Sequence, residues 1–205
     1  MRQKIVLFGD SIIRYNHNKL LIDWSQNLKV MVNENFPNKY KFITKTIVGL
    51  NSTQAVRVFN QLTNKIQIKN AILIVQLGIN DSWHFKSLYG KPNVSFQKCK
   101  MNFLKIINKA KKSMTNEIFL VSYHKLLNNR LEINNKTINE NLGPYLKLIK
   151  KICYKEKIKF IDVSINTKNI KSKKMCRPLP DGIHLSQYGA QVYSKLIFKT
   201  IQKYL

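Results

Sequence analysis

Cysteine is scarce in this 205-residue chain, and the three present, Cys99, Cys153 and Cys176, form no CxxC pair. An odd, unpaired set argues against both a disulfide framework and a structural zinc site, so they read as free thiols. Long hydrophobic runs are missing too. The longest, such as Ala71-Ile-Leu-Ile-Val75, are far too short to span a bilayer and suit buried strands. Only Arg2, Gln3 and Lys4 separate Met1 from the first apolar run, which leaves no room for the regions of a secretory leader; the expectation is a cytoplasmic protein. No HExxH and no Gly-x-x-x-x-Gly-Lys-Ser/Thr occurs, so neither a zinc protease nor a P-loop nucleotide enzyme finds support. Internal repeats and low-complexity linkers are also absent. With 44% hydrophobic residues the chain can bury one full core, and a single domain over residues 1–205 is expected.

Negative charge is the scarcest property. Ten Asp and Glu face 36 Lys and Arg, for a formal net charge of +26. Such an excess invites a nucleic-acid reading, because clustered cations release counterions from phosphate backbones. Only five of the cations are arginine, however, and bidentate phosphate and base recognition favours the guanidinium fork. Lysine also accompanies Asn and Ile throughout, as a general compositional bias. No specific nucleic-acid partner is therefore expected. Basic stretches at Lys105 to Lys112 and Lys147 to Lys159 fall on amphipathic helical patterns and read as solvated faces. A third, Lys168 to Arg177, follows the last strand and is placed to attract anionic substrates.

Short apolar runs alternate with longer helical patterns, the signature of β-α units around a parallel sheet. Strands are predicted at Lys4 to Phe8, Tyr40 to Val48, Ala71 to Leu77, Glu117 to Ser122 and Lys159 to Val163. Helices are predicted at Leu20 to Asn35, Ser52 to Leu62, Ser95 to Ser113, Asn135 to Lys155 and Ser186 to Tyr204, with Ser52 and Ser186 as N-caps. Right-handed crossovers would put helices on both faces of the sheet.

The unusual residues fall just past the strand ends. Ile5-Val-Leu-Phe-Gly-Asp-Ser-Ile-Ile13 is an apolar strand that breaks at Gly9-Asp10 and presents Ser11, where open α/β sheets place their ligands. A serine needs a base, a group to orient that base and donors for an oxyanion. Asp181-Gly-Ile-His184 supplies a carboxylate and an imidazole three residues apart, so the aspartate can hold one ring nitrogen while the other faces the serine. Asn80, in Leu77-Gly-Ile-Asn-Asp81, is a side-chain donor for an oxyanion, and Asp81 is placed to brace its loop by accepting backbone hydrogen bonds. Gly49 lets a backbone N–H approach a reacting carbonyl with no side chain intervening.

Taken together, Gly9-Asp10-Ser11, Gly49, Gly78-x-Asn80-Asp81 and Asp181-x-x-His184 resemble the four blocks of the SGNH, or GDSL-type, hydrolases, in order and at compatible spacing across nearly the whole chain. The resemblance implies a three-layer α/β/α, flavodoxin-like fold with five parallel strands in the order 2-1-3-4-5. It implies Ser11 as nucleophile, His184 as general base and acid, and Asp181 as its orienter. The implied oxyanion hole is the Ser11 and Gly49 backbone N–H groups with the Asn80 side chain. No metal or other cofactor is implied. The usual leucine after the serine is Ile12, a similar apolar residue, and the Gly-x-Ser-x-Gly elbow of the α/β-hydrolases is absent because position 13 is Ile.

His84 and His124 follow strands three and four and are candidates for lining the cleft and contacting substrate, with Trp83, Phe85 and Tyr123 as an apolar or sugar-stacking wall. Tyr15 and His17 read as packing or loop residues. The expected activity is hydrolysis of a carboxylic ester through an acyl-enzyme, with a small acyl ester or an acylated carbohydrate as substrate, as in carbohydrate O-deacetylation. Lysophospholipase, thioesterase or acyltransferase activity would use the same residues. A non-catalytic polyanion-binding protein would account for the charge but leave the four motifs unexplained.

Overall fold

The computed structural model describes residues 2–14, 23–65, 70–84, 90–113, 117–128 and 130–205. Five parallel strands form the sheet: β1 (Gln3–Gly9), β2 (Tyr40–Thr46), β3 (Ile72–Gln76), β4 (Ile118–Val121) and β5 (Lys159–Ile161), in the order β2-β1-β3-β4-β5. The long helices are α1 (Trp24–Asn35), α2 (Ser52–Lys65), α4 (Phe96–Ser113), α5 (Ile138–Lys155) and α8 (Gln187–Ile201). Short turns of helix occupy α3 (Ile79–Ser82), α6 (Val163–Asn166) and α7 (Ser172–Met175).

Side chains alternate across a strand, so each strand feeds two cores. Val6, Phe8, Leu73, Val75 and Leu120 face α2, α4 and α5 and pack with Phe59, Phe103, Ile106 and Ile149. Ile5, Leu7, Ile74, Phe119 and Val121 face the other way, onto Trp24 and Leu28 of α1 and Tyr193 and Ile197 of α8. Both faces of the sheet are covered, which is why these strands read as unbroken apolar runs. All three cysteines are free and buried. Among the described residues, no helix is long and apolar enough to cross a membrane.

The predicted elements stand, with shifted ends. The second strand stops at Thr46 because Ile47–Leu50 forms a turn, with Leu50 N–H donating to Ile47 O at 3.2 Å. The fourth long helix starts at Ile138 and is closed by a capping box between Thr137 and Glu140. Ser186 caps α8 as expected, accepting from the Gly189 N–H. Ser52 does not cap α2. That position belongs to Asn51, whose side chain accepts from Gln54 N–H while Gln54 Oε1 accepts from Asn51 N–H, and Ser52 is the first helical residue. Residues 20–22 of the first predicted helix, and Tyr15 and His17, lie outside the described residues.

The end of β1 sets the position of everything that follows. Gly9 lies between Thr46 of β2 and Gln76 of β3, and a Cβ there would sit 2.1 Å from Gln76 O and 2.7 Å from Ile13 Cδ1. The backbone of Gln76 cannot yield without disturbing β3. Gly9→Ala is expected to destabilise the protein by roughly 1–3 kcal/mol, the cost of overpacking a filled core; a denaturant midpoint equal to that of the unaltered protein would contradict this close approach.

Candidate active site

Ser11 follows β1 in a tight turn closed by Ile13 N–H donating to Asp10 O at 3.3 Å. The Asp10 carboxylate lies fully buried beneath it, accepting from Ile12 N–H at 3.0 Å and from the Tyr123 hydroxyl at 2.5 Å. The turn that presents Ser11 is thus held from below by an interaction reaching over to the end of β4. Burial pushes the Asp10 carboxyl up from 3.8 to about 7, against the opposing hydrogen bonds from Tyr123 and Ile12 and with a further upward push from Asp81.

Asp181 and His184 approach from the segment before α8. Asp181 Oδ1 accepts from the backbone N–H groups of Ile183 and His184, both at 2.9 Å, and both carboxylate oxygens lie 3.0 Å from His184 Nδ1. Burial acts to raise the Asp181 carboxyl but is outweighed by those N–H groups and by the imidazole, so it lies below its ordinary value. An ionised carboxylate only accepts, so Nδ1 carries the proton and the lone pair is left on Nε2. That nitrogen is 2.9 Å from Ser11 Oγ and accepts from it. Gly182 makes the turn possible with φ +59° and lies against Asn128, whose N–H donates to Gly182 O at 2.9 Å and whose side chain donates to the carbonyls of Pro180 and Asp181. Asn128 escaped the sequence reading because nothing local marks it; its role is to clamp a loop more than fifty residues away.

A cavity of about 300 Å³ opens beside the pair, lined by Ser11, Val48, Gly49, Ile79, Asn80, Trp83 and Ile183 among others. Gly49 has φ +72° and open space where a Cβ would stand. Among the described residues, the backbone N–H groups of Ser11 and Gly49 donate to no acceptor. One N–H of the Asn80 amide donates to Leu50 O at 3.2 Å, and an amide carries a second. The loop is braced by Asp81, which accepts from Ser52 N–H at 3.0 Å, as expected. Three donors at a cavity wall and a serine hydrogen-bonded to an oriented imidazole are the parts that acyl transfer requires.

The profile of the GDSL-like lipase/acylhydrolase family matches residues 5–197. The chain belongs to that family. It is accordingly a serine hydrolase acting on ester bonds. Solved structures share its fold: an acetylxylan esterase from Geobacillus stearothermophilus is 14% identical with a TM-score of 0.76, the match covering 97% of this chain and 94% of the other. A lipase/acylhydrolase from Enterococcus faecalis is 18% identical with a TM-score of 0.75, covering 99% and 97%. A search of the curated proteins by sequence finds no match.

Two candidate substrate contacts of this GDSL-type hydrolase are placed elsewhere. His124 is buried: its backbone N–H and Nδ1 lie 3.0 and 2.8 Å from the Tyr193 hydroxyl, and Nε2 donates to Ile183 O at 3.2 Å. Burial pulls it down to about 4, so it is a neutral brace behind the His184 loop rather than a cleft residue. The side chain of His84 is 10% exposed, donates from Nδ1 to Ser82 O at 2.8 Å and stands beside Glu132, tying the Asn80 loop to residues 130–137. Of the proposed wall, Trp83 does line the cavity, Tyr123 is buried on Asp10, and Phe85 lies outside the described residues. Among the described residues, no three His, Cys, Asp or Glu side chains gather as metal ligands.

Asp10 gives the site a pH signature. Its folded value of about 7 exceeds the ordinary 3.8, so between these values the folded protein holds a proton that the unfolded chain releases, and stability falls as pH rises through that window. Asn mimics the protonated acid in shape. The melting temperature of Asp10→Asn relative to the unaltered protein is expected to climb from pH 4.5 to pH 7.5 (thermal unfolding at about half-unit steps); a pH-independent difference would show that Asp10 titrates normally.

Proposed function

We propose that the chain hydrolyses a carboxylic ester through an acyl-enzyme formed on Ser11. The observation that carries this reading is the continuous chain Asp181–His184–Ser11, with 3.0 Å and 2.9 Å links, ending at a cavity whose Ser11 and Gly49 N–H groups meet no acceptor among the described residues. His184 Nε2 takes the Ser11 proton as Oγ bonds to the ester carbonyl carbon, and the carbonyl electrons move onto oxygen. The Ser11 and Gly49 N–H groups and the Asn80 amide stabilise that oxyanion. As the C–O bond to the alcohol breaks, His184 returns the proton to the leaving oxygen. Water, deprotonated by the same nitrogen, then attacks the acyl carbon; the C–Oγ bond breaks, His184 returns the proton to Ser11 Oγ, and the acid is released. Asp181 holds the imidazole in the tautomer each step needs. This assignment treats residues 1–205 as one hydrolase domain.

A short acyl group is the substrate favoured by the cavity, whose volume of about 300 Å³ is at the small end for ligand sites and whose walls include Val48, Ile79, Trp83 and Ile183. The acetylxylan esterase that shares the fold is described in catalytic-mutant forms replacing a serine, an aspartate and a histidine, the last two three positions apart as Asp181 and His184 are here. That supports O-deacetylation of a carbohydrate as the specific reaction.

Ser11→Ala is expected to abolish hydrolysis of a short-chain aryl ester while the protein remains folded by circular dichroism; retained turnover would refute the nucleophile. Asn80→Ala should lower kcat by roughly tenfold to a thousandfold, the effect of one lost oxyanion donor, with KM little altered. Across acetyl to decanoyl esters, kcat/KM should peak at the short end, and a long-chain optimum would instead favour a lysophospholipase.

A further inference from the structure

The Ser11–His184 pair has two sides. On one is the cavity of Gly49 and Asn80, where among the described residues the only ionisable lining side chain is His184, with Arg130 lying 5.8 Å over the ring of the Trp83 wall. On the other is a small recess of about 20 Å³ lined by Ser11, His184, Asp23, Arg177, Ser186 and Gln187, among others. The basic segment Lys168 to Arg177 is fastened along this second side: Arg177 N–H donates to His184 O at 2.8 Å, Ser186 N–H donates to Met175 O at 2.9 Å, and Cys176 bridges Leu185 in antiparallel fashion. Lys173 and Lys174 of α7, with Lys171 before it, are exposed, and the Lys174 carbonyl accepts from the hydroxyl of Ser186, which lines the recess. Among the described residues, the one carboxylate lining it is Asp23. That group already caps α1 through Gln26 N–H, accepts from Ser25 and lies 3.8 Å from Arg14 Nε. Among the described residues, Arg177 and the three exposed lysines of this segment outnumber it.

Esters have two ends, and the two sides differ in kind. The oxyanion donors require the carbonyl oxygen to point towards the cavity of Gly49 and Asn80, whose described lining holds no carboxylate and no ammonium, which suits a neutral acyl group. The leaving alcohol must lie against His184 Nε2, which reprotonates it, and the recess begins there. We propose that Arg177 and the Lys171–Lys174 turn recognise a phosphate or carboxylate carried by the alcohol, so that the favoured substrates are esters of anionic alcohols. Arg177 Nε donates to Leu185 O at 3.3 Å, which fixes the guanidinium beside the recess; an arginine carries further donors for either group, and the lysines add positive charge that concentrates anions. This inference rests on the esterase reading and extends it to a substrate class.

Matched pairs of acetyl esters test it: acetylglycerol against acetylglycerol phosphate, and acetylated glucose against acetylated glucuronate. For at least one pair, kcat/KM at low ionic strength should favour the anionic member by about tenfold or more, mainly through KM. The preference should shrink towards parity at about 1 M salt, where the screening length is about 3 Å. The pair that shows the preference identifies phosphate or carboxylate as the group. Arg177→Gln with Lys173→Gln and Lys174→Gln should remove most of the anionic-to-neutral ratio. The exposed lysine pair alone should lower it in part, which covers a triple variant that fails to fold. The same number of charges removed from α4 (Lys98, Lys100 and Lys105 to Gln) should leave the ratio in place. Equal kcat/KM within both pairs, or an equal loss from the α4 variant, overturns the inference while hydrolysis of the neutral members keeps the esterase reading intact. Failure to hydrolyse every ester overturns both.

Discussion

The close packing of β1 against β3 at Gly9 and Gln76 is the constraint on which the site depends. β1 is flanked by β2 on one side and β3 on the other, and the chain leaves it for α1 on one face while leaving β2 for α2 on the opposite face. That reversal opens a crevice at the carboxyl end of β1, the place where open α/β sheets bind their ligands. Ser11 is held in that crevice because Gly9 permits the two strands to stay in register up to the turn. Asp10 then ties the turn to Tyr123 beyond β4. A fully buried carboxyl group beside the nucleophile carries an energetic cost, and its protonation below about pH 7 is how the fold accommodates it.

The remaining parts are brought in by local devices that each fix one loop. Asp181 accepts from two backbone N–H groups and from the imidazole, so the carboxylate organises its own turn as well as His184. Asn128 closes that turn from the side and His124 supports it from behind through the Ile183 carbonyl. Asp81 and His84 do the same for the Asn80 loop, anchoring it to α2 and to residues 130–137. Catalytic geometry of this kind tolerates little slack, and a shell of committed polar groups is what removes it.

Charge follows a related logic. Most of the ten acidic residues are committed to the fold: Asp10, Asp81 and Glu132 are buried in hydrogen-bonded networks, Asp23 and Glu140 cap helices, and Glu117, Glu156 and Asp162 pair with lysines. The lysine excess is thus left uncompensated at the surface. On α4 and α5 it forms the solvated faces expected from amphipathic patterning. Around α7 it borders the Ser11–His184 pair, because the backbone of that segment pairs with the one carrying His184.

The strands, the long helices, the order of the sheet implied by the family motifs and the grouping of Ser11, Gly49, Asn80, Asp181 and His184 at one edge were legible in the sequence. Each depends on local alternation or on a motif beside a strand end, and parallel strands bring all such ends to one side. The fates of His84, His124 and Tyr123 were not legible, since all three also follow strands, and only packing against Glu132, Tyr193 and Asp10 turns them from cleft walls into braces. The N-cap of α2 shifted by one residue for the same reason: the Ser52 hydroxyl accepts from Asn102, fifty residues away, while Asn51 is free to cap. Sequence alone determined which groups can do chemistry and at which edge they gather, because those properties reside in residue type and strand periodicity. Tertiary structure decided which of them face the cavity and which protonation state burial imposes, because each is a property of neighbours distant in the chain.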